Sequence, residues 1–288
     1  MNLKGLCDLH THTDISYDGK DAPEKIVKRA KEINLPVLCI TDHVECNFWH
    51  ERSYYQKQGM KTNDFDDFDY RSRFEISLET IPKLKAQTDG LKLLFGCEMG
   101  QATQAKDIAK KISECESLDF IIGSLHQVKN RDDFYFLNLV EMPQEQLDNL
   151  IFDYYLELYT LACQGGFDVL GHITYPLRYI IGKAKREVKL EPCEELIAET
   201  FKKLIQDGRG IEINTSGLRQ SYGKTFPDLD LVRLYKDLSG EILTLGSDSH
   251  CCADLGKGIA QGAEIAKAAE FKYFTYFEKR KPKFVPLT

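Results

Sequence analysis

Two imidazoles one residue apart, His10 and His12 in the stretch CDLHTHTDISYDG, open the chemistry of this chain. On an extended strand, residues i and i+2 point to the same face, so the two rings lie side by side. Neutral imidazoles converging from one rigid strand can hold a divalent cation. Other polar residues recur in the same kind of position, at the C-terminal ends of short apolar runs: His43, Glu98, His126, His172, Asp248 and His250, with Asp18 close behind the first run. Six of the chain's seven histidines belong to this set, and only His50 stands in a long loop. Six imidazoles and three carboxylates exceed what one zinc ion takes, about four ligands. They suit two or three divalent ions, Zn, Fe or Mn, with Glu98 able to bridge. Such a centre brings a bound water to a pKa of about 7, which points to metal-assisted hydrolysis. Arg178, six residues after His172, and Arg219, five after Asn214, add guanidinium groups beside the same strand ends. Guanidinium matches phosphate bidentately, which tilts the expected substrate towards a phosphoester.

The elements that must carry these residues repeat along the chain. Seven apolar runs, ending in LHTHT, ITDH, GCEMG, GSLH, LGHIT, INTSG and GSDSH, alternate with amphipathic stretches such as APEKIVKRAKEINL and CEELIAETFKKLIQDG. Alternating strand and helix predicts parallel strands with crossover connections. An open sheet would string the polar strand ends along a line, whereas a barrel gathers them in one mouth. The expectation is therefore an α/β fold, a distorted (β/α)7 TIM-like barrel forming one domain over residues 1–288, with the metal site at the C-terminal ends of the strands. Three long connections, residues 44–69, 174–190 and 218–227, should overhang that mouth.

Composition bounds the function. The net charge of −7 disfavours a nucleic-acid groove. No run approaches the roughly 18 apolar residues of a membrane span, and MNLKGLCDLH lacks the apolar core of a signal peptide, so a cytoplasmic protein without membrane contact is expected. Nine cysteines without a Cys-x-x-Cys pair predict reduced thiols rather than a zinc ribbon, and Cys251 and Cys252 are expected to pack inertly. Tyr154, Tyr155 and Tyr159 read as packing residues of one helix, and EKRKPKF near the end as a solvated tail.

In their order, DLHTHT, ITDH, GCE, GSLH, LGHI and GSDSH resemble the motifs of the PHP (polymerase and histidinol phosphatase) family over Cys7 to His250. That resemblance implies a trinuclear centre. His10, His12, Glu98 and Asp248 would hold one ion, Glu98 with His126 and His172 a second, and Asp18, His43 and His250 a third. Asp18 stands where many relatives carry histidine. Arg178 and Arg219 would hold phosphate, and a bridging hydroxide would attack it. The stretch LGHITYPLRY and the inserted loops are most similar to the family's histidinol-phosphate phosphatases, which implies a small phosphorylated metabolite, L-histidinol phosphate, as substrate in histidine biosynthesis. The ammonium and imidazole of such a substrate call for acids and aromatics, and Glu45, Phe48, Trp49, Asp64 and Asp66 of the 44–69 loop are the candidates. Asp18, Asp21 and Glu45 are candidates to protonate the leaving alkoxide. Another phosphoester (a nucleotide, an oligonucleotide or phosphotyrosine) and a non-catalytic metal-binding barrel are the alternatives. The oligomeric state is left open.

Overall fold

The computed structural model describes Leu3 and residues 5–57 and 69–287. Strand and helix alternate as β1 (Cys7–Asp8), α1 (Pro23–Glu32), β2 (Val37–Ile40), β3 (His43–Glu45), α2 (Arg52–Lys57), α3 (Tyr70–Gln87), β4 (Lys92–Gly100), α4 (Lys106–Ser113), β5 (Phe120–Ser124) and α5 (Gln144–Gln164). The series continues with β6 (Val169–Leu170), α6 (Glu194–Gln206), β7 (Gly210–Asn214), α7 (Leu229–Asp237), β8 (Leu243–Gly246) and α8 (Ile259–Ala268), and ends in β9 (Tyr273–Glu278) and β10 (Lys281–Pro286). Strands β1, β2, β4, β5, β6, β7 and β8 lie side by side in that order, every pair parallel.

Two features turn this sheet into a seven-membered barrel. β2 and β3 pair with β4 in one unbroken register, Val37 opposite Lys92 and His43 opposite Glu98, so they form a single strand interrupted at residues 41 and 42. The interruption has a local cause. The buried Asp42 carboxylate accepts from the Thr13 backbone N–H at 2.7 Å, the Thr13 hydroxyl at 2.8 Å and the Ser16 hydroxyl at 2.7 Å, so it is turned to hold the loop after β1. The ring then closes between first and last strands: Leu9 N–H donates to Leu245 O (2.9 Å), Asp248 N–H to His10 O (2.7 Å) and His12 N–H to Ser249 O (2.8 Å).

The strands are buried along nearly their whole length, as parallel strands covered by helices must be. The helices show one apolar face each, Ile26, Val27 and Ala30 in α1 and Ile197, Phe201 and Leu204 in α6. Tyr154 and Tyr155 of α5 are core residues, as their spacing predicts. Each of the nine cysteines is a free thiol.

The C-terminal segment corrects an expectation. EKRKPKF is largely exposed, as expected, but it is no tail: it forms the turn and second strand of an antiparallel hairpin, β9–β10, against the N-terminal end of the barrel. Phe277 stacks on Phe120 at 5.1 Å between ring centroids, and Arg280 Nε donates to Asp168 Oδ2 at 2.6 Å. Alternating apolar residues in YFTYFE carry the signal for this strand, and the run of basic residues after it masks the hairpin.

Candidate metal centre and cleft

His10 and His12 sit just past β1, where the closure bonds keep the backbone extended, and both rings point inward. Their Nε2 atoms approach the same oxygen, Glu98 Oε2, at 3.2 and 3.4 Å. Glu98 comes from the middle of β4, where it is fully buried. His43 Nδ1 reaches Oε2 at 2.9 Å, while His126 Nε2 and His172 Nε2 reach Oε1 at 3.1 and 2.7 Å. One carboxylate thus faces five imidazoles from four different strand ends.

Asp248 adds a second acid, its Oδ1 lying 3.4 Å from His12 Nε2, 3.9 Å from His10 Nε2 and 3.5 Å from His250 Nδ1. Its φ of 52° is left-handed, a backbone strain of the kind found where side-chain placement outweighs local comfort. Asp18 closes the outer side, 3.1 Å from His250 Nε2 and 3.7 Å from His43 Nε2. All nine residues read from the sequence as candidate ligands therefore meet at one end of the barrel.

Three groups within this cluster bring ligand atoms close enough to share an ion: His10, His12 and Glu98; His43, Glu98 and His126; and His12, His43 and His250. His10 Nε2, His12 Nε2, His43 Nδ1 and Glu98 Oε2 are buried with no hydrogen-bond partner in the protein. Buried polar atoms left unsatisfied are costly, and a divalent cation satisfies a set like this one. The donor set fits.

The electrostatics follow from the same packing. Burial penalises the His43 imidazolium, yet Glu98 and Asp18 outweigh it and lift the pKa to about 9. Burial is opposed in the same way at His10, held high by Glu212, Glu98 and Asp248, and at His126, held high by Glu45 and Glu98. His12 goes the other way, because burial and the neighbouring His250 and His43 hold it below its ordinary value. Burial pushes the Asp18 carboxyl up, but His43 and His250 hold it below the ordinary carboxylate range. A carboxylate held ionised in this way is poorly suited to giving up a proton near neutral pH.

Two carboxylates stand behind the cluster, Glu45 in a role other than those expected of it and Glu212 absent from the candidates read from the sequence. Glu212 Oε1 lies 2.7 Å from His10 Nδ1, and Glu45 Oε1 2.8 Å from His126 Nδ1. Each fixes a ring so that Nε2 faces Glu98, the carboxylate–histidine arrangement that orients metal ligands. Glu212 has a readable signal, since GIEIN places Glu212 and Asn214 alternately with the outward-facing isoleucines of β7. Glycines make room for both acids: a Cβ at Gly246 would run into the Glu212 carboxylate and His10, and one at Gly100 into the Glu45 carboxylate. Glu45, expected as a substrate-facing loop acid, lines the cleft and is also engaged by His126.

A cleft of about 1320 Å³ opens over the cluster, lined by Glu98, His126, His172, Asp248 and His250 at its floor. Arg178 stands on the wall, over the Tyr175 ring at 5.2 Å and the Phe226 ring at 5.4 Å. One of its terminal nitrogens donates to Ser216 Oγ at 2.8 Å and lies 3.2 Å from Asp248 Oδ2. Its Nε is buried without a partner. Arg219 is placed differently. It donates to the backbone oxygens of Ser247 (2.8 Å) and Asp248 (3.2 Å), bracing the strand end, and is not among the residues lining the cleft.

Of the acids and aromatics expected from residues 44–69, Glu45 and Phe48 line the cleft. Trp49 packs on Phe74 at 6.1 Å. Asp64 and Asp66 lie outside the described residues. Asp133, Tyr135, Tyr175 and Tyr179 supply the same chemistry alongside them. Asp21 is tied to the backbone N–H of Cys252 at 2.8 Å, away from the cleft lining. No helix among the described residues is long and apolar enough to cross a membrane.

The PHP domain family model matches residues 8–216. The chain belongs to the PHP family. Curated relatives extend the likeness over the whole length. A protein of Thermotoga maritima described as a probable histidinol-phosphatase is 27% identical over 276 residues, covering 96% of this chain and 97% of its own. The Lactococcus lactis histidinol-phosphatase is 25% identical over 287 residues, covering 95% of each. The crystal structure of histidinol phosphate phosphatase from Lactococcus lactis, complexed with zinc, L-histidinol and phosphate, matches with a TM-score of 0.77 at 24% identity, covering 97% of this chain and 99% of its own. This PHP chain shares the barrel of that structure.

Proposed function

We infer that this PHP protein is a histidinol-phosphatase: a metal-dependent phosphomonoesterase that converts L-histidinol phosphate to L-histidinol and phosphate. The observation that carries the reading is Glu98, surrounded by five imidazoles at the floor of a cleft with Arg178 on its wall, in a chain aligned end to end with histidinol-phosphatases. The centre takes two to three divalent ions, zinc being supported by the Lactococcus lactis complex. One ion is assigned to His10, His12, Glu98 and Asp248, a second to Glu98, His126 and His172, and a third to Asp18, His43 and His250. Bound there, the ions would supply Lewis acidity at the phosphoryl oxygens and an acidified water.

The chain's own residues do the rest. Glu45 and Glu212 hold His126 and His10 in the tautomer that leaves Nε2 free for ligation. Arg178, stacked on two rings and steadied by Ser216, presents a fixed guanidinium on the cleft wall to a phosphate oxygen. Arg219 acts at one remove, fixing the backbone around Asp248. Asp18, kept ionised, serves as a ligand rather than as the acid for the leaving alkoxide.

The test is phosphate release from L-histidinol phosphate beside p-nitrophenyl phosphate, a dinucleotide and a phosphotyrosine peptide, with added zinc or manganese and with chelator. The reading expects kcat/KM for L-histidinol phosphate to exceed the others by orders of magnitude and to vanish on chelation. Equal, weak turnover of all four would leave a PHP phosphoesterase of another substrate, and no turnover with any metal would favour a non-catalytic barrel.

A further inference from the structure

Outward from the metal centre, aromatic rings line one wall of the cleft in steps. Tyr175 lies 5.1 Å from the His126 ring and 5.2 Å from the His172 ring, Tyr179 5.2 Å from Tyr175, and Tyr135 6.3 Å from Tyr179 and perpendicular to it. The Lys183 ammonium sits against the last two rings, 4.4 Å from the Tyr135 centroid and 4.7 Å from that of Tyr179. Among the described residues it forms no ion pair with a carboxylate. A cation held over two tyrosine faces is the arrangement by which aromatic cages bind ammonium groups. Asp133 braces the cage, accepting from the Tyr135 backbone N–H at 2.7 Å and lying 3.4 Å from the Tyr175 hydroxyl, which meets that of Tyr179 at 2.9 Å. Burial and nearby Arg178 hold the Lys183 pKa below its ordinary value, so its own charge is not well served there.

We propose that the Tyr135–Tyr179 pair, backed by Asp133, is the subsite for the primary ammonium of the substrate, and that Lys183 is its built-in occupant, displaced when that ammonium binds. Lys183 carries the same head group as the ligand it yields to, on a long flexible stem rooted at the rim of the cleft. Lys183 is exposed and forms no ion pair with a carboxylate among the described residues, so it can leave the rings for solvent without breaking a salt bridge. Arg178 lies over Tyr175, one ring in from Tyr179, so a phosphate held beside Arg178 leaves the ammonium, which stands only two carbons from the phosphate oxygen, next to the Tyr179 face of the same wall. Phosphate esters lacking an amine gain nothing from the exchange, and this makes Lys183 and Tyr135 residues of specificity. The inference rests on the phosphatase reading for the identity of the ligand.

The experiment measures binding without turnover. Calorimetry on the zinc-loaded protein compares L-histidinol with its amine-free analogue, imidazolyl-propanol, for the wild type, Lys183→Met and Tyr135→Leu. Tyr135 is 61% exposed, so its replacement leaves the core intact. A cation–π contact of ordinary strength corresponds to about fivefold in affinity. The preference for L-histidinol over the analogue should rise about fivefold in Lys183→Met and fall about fivefold in Tyr135→Leu. An unchanged preference in Lys183→Met, equal weakening of both ligands, or no binding by any of the three proteins overturns the proposal. Selective binding by a protein that does not hydrolyse L-histidinol phosphate would remove the phosphatase reading and keep the cage. Hydrolysis with an unchanged preference would do the reverse.

Discussion

At the C-terminal end of the strands, Glu98 and Asp248 are surrounded by imidazoles, four of which keep a buried nitrogen without a hydrogen-bond partner; at the N-terminal end, Asp119 and Asp168 are as deeply buried but fully engaged. Asp168 Oδ2 accepts from Ile121 N–H at 2.8 Å and from Arg280 Nε at 2.6 Å. Asp119 accepts from Phe95 N–H at 2.9 Å and from Lys279 N–H at 3.2 Å, with Lys85 beside it. Both ends are carboxylates at strand termini, yet one set is closed by cations of the protein itself and the other is left for cations from outside. A permanently charged guanidinium or ammonium satisfies an acid without solvent or ion, and so makes a joint. Imidazoles can be neutral, and neutral imidazoles beside carboxylates make a vessel for metal. The hairpin β9–β10 delivers Arg280 to the lower end and seals it, whereas the long connections at the upper end leave a cleft.

Mutations at the two ends should separate activity from stability. His126→Ala removes a group facing Glu98 and should lower kcat/KM about 10³-fold or more, with an unchanged far-ultraviolet circular dichroism spectrum. Wild-type turnover in that variant would break the assignment of the upper end. Glu212→Gln keeps the volume but weakens the hold on His10, and should reduce metal affinity by about 10–100-fold in a competitive chelator titration. Arg280→Met leaves Asp168 without its cation. Because Arg280 is partly exposed, the expected loss is about 2 kcal/mol, near 5 °C in Tm, with the kcat/KM of the folded protein preserved. A large activity loss at unchanged Tm would show that the ends are not independent.

The smallest effect is the pH dependence of the metal-free protein. With its pKa raised to about 9 by Glu98 and Asp18 against the penalty of burial, His43 is protonated in the folded state at neutral pH. Its contribution to stability is fully present below its ordinary value of 6.5 and fades as pH rises towards 9. Ligation requires the neutral ring, so zinc loading at pH 7 should release protons, and metal affinity should strengthen as pH rises over the same range. Thermal melts with and without zinc from pH 6 to pH 9 check both signs. Metal-free stability that rises across this range would refute the His43 environment described here.

The ligand set was legible because the chemistry is written where periodicity breaks. An apolar run that ends in His, Asp or Glu announces a strand whose end faces something other than core, and six such runs leave little choice of architecture. Glu98 shows the same logic in GCE, a charged residue with no polar neighbours to solvate it. Arg219 shows its limit: sequence puts it near the strand ends, but only the packing around Ser247 and Asp248 turns its guanidinium to backbone oxygens. Glu45 was visible as an acid near the mouth, and its register opposite Gly100 on β4 is what commits it to His126.

Local rules therefore determine the strands, the helices and the identity of the candidate metal ligands, because periodicity and residue chemistry act within a few positions. The tertiary structure decides the rest: which carboxylate meets which imidazole, that residues 279 and 280 form a seal rather than a tail, and that Lys183 lies over tyrosines 48 residues away at Tyr135 and four away at Tyr179. Those outcomes depend on strand order, register and closure, which bring distant segments together at distances no local pattern encodes.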